Sequence, residues 1–414
     1  MNKFERLIYN AVRFSPSWKK NIVKSYQKIF SIFPVRDVQT NYKIIEREGY
    51  FFGFHDKCPW SYDNKLLLAH KYPFDLKMPT ESDQIKIGYF SGENWTDFNS
   101  FGQTSTWNWQ MGSMLQWFKN DTIIFNDFNG KQHISKILTI AGKLVKQFNR
   151  PIAAISSDGK YALSHSFIRL QKAAPAYSYA NGREPTNYEN IPKNDGIYLL
   201  NLKNGNYRLL FSIFDIANYK SSEYFQNFYH YFSHCLFAPN GERFAFFHRW
   251  VDPNQQTWTR LFTVNIDGSK LFQFNFNGVV THLAWLNDNH LSAYGYKKGI
   301  GDHFYLLTDQ SDNYKIIGQD IFTSDGHQQF SPNGEYMLTD TYPDRLRRQY
   351  LFQYDMQNNE RTNIATVKPP SDYHGDVRCD LHPRWDRTGD FICFDSAHSG
   401  KRALCTVRLN GRKK

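Results

Sequence analysis

Four histidines recur at one position of an internal sequence repeat. Each stands three residues before an apolar anchor residue, and a turn dipeptide begins three residues after that anchor; the four are His234, His282, His327 and His382. If the repeat units surround a common axis, their imidazoles converge on one cavity. Converging neutral imidazoles suit a divalent transition metal such as Zn²⁺, Mn²⁺ or Fe²⁺. The alternative is a stack of hydrogen-bonded histidines that fills a channel, and one of the four could act as a base instead of a ligand.

The residues ten positions after the anchors form a second, mostly polar set. Most of its members are His or Asp, and the full set is His70, Asp127, His165, Phe247, Gly295, Asp340 and Asp395. His248, Arg249, Tyr342 and His398 follow within three positions of a member. These residue types carry acid–base chemistry on a polyol or sugar. The alternative for the aspartates is that they cap the loops that join the hairpins.

The repeat also predicts the fold. The segments HCLFAPNGERFAFFHRW, HQQFSPNGEYMLTDTYP and HPRWDRTGDFICFDSAH each combine an apolar strand, a turn and a second apolar strand, which is the pattern of a β-hairpin. The anchors of all the copies are Trp60, Trp117, Ile155, Phe237, Trp285, Phe330 and Trp385. Repeats of about 40–50 residues with this pattern are typical of propeller blades. We therefore expect an all-β, seven-bladed β-propeller over residues 42–414, whose ring is closed by a strand near 42–48.

Positive charge is concentrated at the N terminus. Residues 1–36 contain eight Lys or Arg and one Glu, so they hold +7 of the chain's net charge of +11, and their apolar residues recur at helical spacing. We expect a short basic amphipathic helical segment that attaches to an anionic membrane surface, or else a helical cap on the propeller. The body of the chain has no basic stripe, so nucleic acid is not an expected partner.

Several absences narrow the location and the chemistry. No apolar run approaches the ~20 residues of a membrane span, no signal-peptide core is present, and the five cysteines form no CxxC pair. We expect a cytoplasmic protein, peripheral on the inner face of the cell membrane if the N-terminal segment attaches there. The chain contains no glycine-rich phosphate cradle. Two long aromatic insertions, over residues 170–195 and 215–231, could reach the polar face.

Five longer motifs resemble a bacterial family of propeller proteins that are often encoded among surface-polysaccharide genes. The motifs are HDKCPW, WNWQMGSMLQW, SHCLFAPNGERFAFFHRW, DGHQQFSPNGEYMLTDTYPD and RCDLHPRWDRTGDFICFDSAH, and the resemblance spans about residues 44–410. That family is itself similar to oligogalacturonate lyase and to the propeller-type ulvan lyases. The resemblance implies β-elimination on a uronate-containing glycan, although propellers host many functions.

The resemblance also implies roles for individual residues. A divalent metal would be held by His234, His282, His327 and His382. Arg249 would neutralise the substrate carboxylate, His165 or His248 would be the base, and Tyr342 the acid. The remaining polar residues of the face would contact the substrate; these are His55, Lys57, His70, Asp127, Asp340, Asp395 and His398.

Three functions remain open from the sequence. The first is a metal-dependent, lyase-like enzyme that acts on a uronate-containing surface glycan or its glycolipid precursor. The second is a glycosyltransferase or an accessory protein of capsule, O-antigen or lipopolysaccharide biosynthesis, although propellers lack the nucleotide-binding crevice of doubly wound folds. The third is a non-catalytic propeller that binds a glycan or a protein.

Overall fold

The computed structural model describes residues 37–183, 185–220 and 227–412, together with Ile22 and Ser25, which are helical. The helical segment expected over residues 1–36 therefore lies almost entirely outside the described residues, and its attachment to a membrane stays a prediction. No helix among the described residues is long and apolar enough to cross a membrane.

The strands form seven antiparallel sheets, which confirms the predicted seven-bladed β-propeller. Two strands precede the first blade: β1 (Val38–Thr40) and β2 (Tyr42–Glu48). The first blade is β3 (Tyr50–Phe51), β4 (Leu67–Lys71), β5 (Ile85–Ser91) and β6 (Asp97–Thr104). The second is β7 (Gln116–Lys119), β8 (Thr122–Phe128), β9 (His133–Thr139) and β10 (Leu144–Phe148). The third is β11 (Ala154–Ile155), β12 (Tyr161–Ser164), β13 (Gly196–Asn201) and β14 (Tyr207–Ser212).

The remaining blades follow in chain order. The fourth is β15 (Tyr229–Phe237), β16 (Arg243–Val251), β17 (Thr257–Asn265) and β18 (Phe272–Gln273). The fifth is β19 (Val280–Asn287), β20 (His290–Lys297), β21 (Gly301–Thr308) and β22 (Tyr314–Ile317). The sixth is β23 (Gln329–Phe330), β24 (Tyr336–Asp340), β25 (Gln349–Asp355) and β26 (Glu360–Val367), and the seventh is β27 (Arg384–Trp385), β28 (Phe391–Ser396) and β29 (Ala403–Arg412).

The start of the chain completes the last two blades. β2 pairs antiparallel with β29, so the seventh blade takes its outer strand from the N-terminal side and the ring is closed by hydrogen bonds. β1 pairs with β26 and gives the sixth blade a fifth strand. The buried guanidinium of Arg47 on β2 donates to the carbonyls of Asn94 and Trp95 and to the hydroxyl of Thr406. Arg47 thus links the closing strand to the first blade.

The insertions carry the helical elements. In the third blade, α1 (Arg169–Ala173) and two 3₁₀ turns (Pro175–Tyr177 and Pro185–Tyr188) lie between β12 and β13. A short helix, α2 (Ile213–Asn218), follows β14 and begins at a capping box formed by Ser212 and Asp215. A third 3₁₀ turn (Gly375–Val377) precedes the seventh blade.

We predict that Arg47→Met destabilises the protein by about 2–4 kcal/mol, because several buried carbonyls lose their donor. Urea unfolding should show a lower midpoint with an unchanged slope. Lys43→Met removes the same charge from an exposed position of the same strand and should be nearly neutral. Equal midpoints for the two variants would contradict the assigned role of Arg47.

Candidate functional site

The inner strands kink where the repeated histidines lie. His234, His282 and His382 have φ angles of 54°, 38° and 44°, in the left-handed region that residues other than glycine seldom adopt. Register shifts at the same points interrupt the pairing of β15 and β19. Met114, the equivalent residue of the second blade, has a φ of 57°. The kink therefore recurs at four of the seven equivalent positions, and three of these four hold repeated histidines; His327 does not share it.

The rings of five histidines gather around Phe54. Those of His282 and His327 have centroids 4.2 Å apart, and those of His327 and His382 are 4.3 Å apart. The ring of His55 lies 5.5 Å from that of His327. The ring of His234 lies 5.0 Å from that of Phe54. We call His55, His234, His282, His327 and His382 the histidine cluster.

Two members of the histidine cluster are oriented by carboxylates, of which that of Asp340 is buried and that of Asp325 is partly exposed. The Nδ1 of His282 lies 2.9 Å from Asp325 Oδ1, and the Nδ1 of His327 lies 2.9 Å from Asp340 Oδ1. Their Nε2 atoms lie 3.4 and 3.5 Å from the hydroxyl of Tyr342. A histidine whose Nδ1 is held by a carboxylate presents its Nε2 in a fixed direction, an arrangement typical of metal ligands.

Other polar atoms of the site are buried and have no hydrogen-bond partner in the part of the chain that the structure describes. They are both ring nitrogens of His55 and of His382, the Nδ1 of His234 and the Oδ1 of Asp380. Leaving such atoms unsatisfied costs about 1–3 kcal/mol each, so they indicate a ligand. His327, Asp380 and His382 can offer ligand atoms that all lie within 4.8 Å of one another. This set fits a divalent metal ion; the ring of His282 lies beside that of His327, whereas the ring of His234 contacts Phe54.

Burial sets the protonation of most of the histidine cluster. It lowers the pKa of His55, His234 and His382 well below 6.5, and neighbouring cations add to the effect, so these rings are neutral. At His327 burial also lowers the pKa, but the charge and hydrogen bond of Asp340 outweigh it and raise the pKa. Burial raises the pKa of Tyr342 well above 10, so its hydroxyl keeps its proton at neutral pH.

The insertion of the third blade reaches the histidine cluster. The ring of Tyr177 lies 5.7 Å from that of His234, and its hydroxyl accepts a hydrogen bond from Arg378 at 2.9 Å. Arg378 also donates to Asp380 at 2.7 Å. Tyr177 and Arg378 thus connect the insertion to Asp380, a member of the candidate metal-binding set.

Arg249 lies on the same side as His234. It extends from β16, its Nε is buried with no hydrogen-bond partner, and its charge contributes to the lowered pKa of His234. The structure therefore brings a neutral imidazole and an incompletely satisfied guanidinium together, next to the proposed ligands.

Three predicted substrate contacts on the second strands have partners within the fold. Both carboxylate oxygens of Asp340 lie within hydrogen-bonding distance of the Nδ1 of His327. Its Oδ2 also accepts the backbone N–H of His382 at 3.2 Å. Asp395 accepts the backbone N–H groups of Phe52 and Gly53 and pairs with Arg384. Asp127 bonds Thr104 and Lys136. Asp340 and Asp395 thus accept backbone N–H groups, as a capping role requires, whereas Asp127 bonds two side chains; substrate contact by these aspartates stays a prediction.

The other predicted contacts also bond elsewhere. His70 bonds the hydroxyl of Ser113 at 2.9 Å. His398 bonds Ser396 and Glu46 through its two ring nitrogens. Lys57 pairs with the adjacent Asp56 at 2.6 Å.

The two histidines expected as bases do not belong to the histidine cluster. Both ring nitrogens of His248 are hydrogen-bonded, Nε2 with His230 at 2.9 Å and Nδ1 with Arg260 at 3.0 Å, and its role as a base stays a prediction. His165 stacks on Phe167 and lines a separate cavity between the second and third blades.

The sequence contained a signal for two residues that the prediction missed. Asp325 and Asp380 each stand two positions before a repeated histidine, so an Asp-x-His pattern occurs in consecutive blades. Phe54 and Tyr177 carry no such signal, because their place depends on how a loop and an insertion fold back over the axis.

Solved structures share this fold. An oligogalacturonate lyase in complex with manganese aligns with 91% of this chain and 95% of its own, with a TM-score of 0.64 and 13% identity. An oligogalacturonate lyase from Vibrio parahaemolyticus aligns with 91% of this chain and 99% of its own, with a TM-score of 0.60 and 12% identity. No protein-family model and no curated protein matches the sequence significantly.

Burial of His70 predicts a pH-dependent contribution to stability. Burial lowers its pKa to about 3, whereas the unfolded chain has a value near 6.5, so the unfolded state binds the proton more tightly. The contribution is complete above pH 6.5 and is lost as the pH falls towards 3. Between pH 7.5 and 5 it amounts to about 2 kcal/mol. Urea unfolding of His70→Gln should show a pH dependence weaker by that amount; parallel curves would mean that folding does not depress this pKa.

Proposed function

We propose that this protein is a metal-dependent lyase that cleaves a uronate-containing glycan by β-elimination. The observation that carries the proposal is the histidine cluster: carboxylate-oriented imidazoles and unsatisfied buried atoms surround one space, next to Arg249 and Tyr342. The fold similarity to oligogalacturonate lyase supports it.

The residues present fit a divalent metal. His327, His382 and Asp380 would hold it, with His282 beside them, and this mixed nitrogen and oxygen set suits Mn²⁺, Fe²⁺ or Zn²⁺. When bound, the metal supplies a positive charge that stabilises the carboxylate of the uronate as the α-proton is lost. The manganese in the solved lyase structure makes Mn²⁺ the first ion to test.

The protein's own groups suit the proton transfers of an elimination. His234 is neutral and has a free buried nitrogen, so we assign it the removal of the C5 proton in place of His165 and His248. The electron pair then forms the C4–C5 double bond as the C4–O bond breaks. Tyr342, protonated at neutral pH, donates its proton to the leaving oxygen. Arg249 binds the substrate carboxylate.

The biological substrate we propose is a surface glycan or its glycolipid precursor. The motifs that resemble the surface-polysaccharide family support this choice. A location at the inner face of the cell membrane would follow if residues 1–36 attach there.

The metal site predicts a selective loss of metal. His327→Ala and His382→Ala should each weaken Mn²⁺ binding at least tenfold, measured by titration calorimetry after chelation, because each removes a ligand. His290→Ala is the control. His290 is the first residue of β20, next to the turn that joins β19 and β20, whereas His282 lies near the opposite end of β19. Unchanged affinity in both cluster variants would rule out this metal site.

If His234 is the catalytic base, its substitution should lower turnover without weakening metal binding. His234→Asn should lower kcat on trigalacturonate at least a hundredfold, followed by the ultraviolet absorbance of the unsaturated product, while Mn²⁺ affinity stays unchanged. If wild-type protein loaded with Mn²⁺, Fe²⁺ or Zn²⁺ forms no unsaturated product from a broad panel of uronates, the lyase proposal fails.

A further inference from the structure

A second cavity, of about 230 Å³, lies between the second and third blades. Its ionisable lining residues are all basic: Lys131, His133, Arg150, His165 and Arg183. No Asp or Glu among the described residues lines it, although Arg183 lies 4.0 Å from Glu81 at its exposed end. A concave site with cations and no lining carboxylate favours an anionic ligand.

The cavity lies on the same face as the histidine cluster. In each blade the inner strand runs away from that face and the second strand returns to it. His165 directly follows β12, a second strand, and Arg150 precedes β11, an inner strand. Lys131 lies in the loop between β8 and β9, which is on this face for the same reason.

Two groups of the cavity are held in place but keep free hydrogen-bonding capacity. The guanidinium of Arg150 stacks 3.4 Å from the ring centre of Tyr198, and its Nε donates to Ser164 at 3.4 Å. The terminal nitrogens of Arg150 have no hydrogen-bond partner among the described residues. His165 is 2% exposed, and among the described residues its ring bonds through Nδ1 to a backbone carbonyl at 3.4 Å. A fixed guanidinium fork matches the two oxygens of a carboxylate.

The insertion of the third blade borders both sites. Phe167 stacks on His165 and also on Tyr179, each at 4.5 Å, and Tyr177 of the same insertion contacts His234. A chain of sugars that leaves the histidine cluster along this insertion would therefore meet the cavity, where the buried ring of Phe167 backs the imidazole of His165.

We propose that this cavity is a subsite that binds the carboxylate of a second uronate in the glycan, through Arg150 and Lys131. The inference rests on the proposed function, because it assumes that the glycan carries uronates. It gives His165 a place in substrate binding, away from the proton transfer, and it predicts preference for substrates with more than one acidic sugar.

The test is titration calorimetry with trigalacturonate in EDTA, which keeps the histidine cluster free of metal. Lys131→Gln/Arg150→Gln should weaken binding at least tenfold. The control Lys143→Gln/Arg208→Gln removes the same charge from exposed positions of the same two blades and should keep wild-type affinity. Added salt should weaken wild-type binding more than binding to the cavity variant. Lys131→Gln alone, at an exposed residue, covers the case in which the Arg150 variant fails to fold, and should weaken binding about threefold.

The outcomes separate this inference from the lyase proposal. Equal affinities of the cavity and control variants, or no binding by the wild type, would overturn the inference. If the metal-loaded cavity variant turned over trigalacturonate with an unchanged KM, the lyase would stand and the subsite would fall. If binding depends on the cavity residues but no metal supports turnover, the subsite is supported and the lyase proposal is contradicted.

Discussion

The site depends on one buried carboxylate, that of Asp340. Its oxygens accept from the ring and the backbone N–H of His327 and from the backbone N–H of His382. It therefore fixes one imidazole and the start of two neighbouring blades at the same time. In a low-dielectric surrounding such a fully satisfied carboxylate is rigid, because each bond that it lost would leave a buried donor unpaired.

Side chains that accept backbone N–H groups of the next blade recur around the ring. Asp395 at the end of the second strand of the seventh blade accepts two backbone N–H groups at the entry of the first blade. Asn126 of the second blade accepts the N–H of Ile152 in the third. Each of these polar side chains ties one blade to the inner strand of the next. Asp340 and Asp395, which suggested chemistry by their residue type, thus position neighbouring blades.

The repeat made the fold and part of the site predictable. Turn dipeptides and apolar anchors recur at fixed offsets, so the blade number and the alignment of four histidines follow from local sequence. Contacts between residues far apart in the sequence were not predictable. Phe54 comes from a loop over the axis and Tyr177 from an insertion. His248 acquires His230 and Arg260 as partners only when β16 is paired. Spacing alone also grouped His234 with the predicted metal ligands, whereas the closest group of possible ligand atoms consists of His327, Asp380 and His382.

The central claim is that the imidazoles of the sixth and seventh blades ligate a metal. Pulsed electron paramagnetic resonance of the Mn²⁺-loaded protein with ¹⁵N-labelled histidine tests it directly. We predict nitrogen couplings from at least two imidazoles, and couplings from fewer imidazoles in His382→Ala. A spectrum of bound Mn²⁺ without imidazole coupling would contradict it, because the metal would then be held by oxygen ligands elsewhere on the protein.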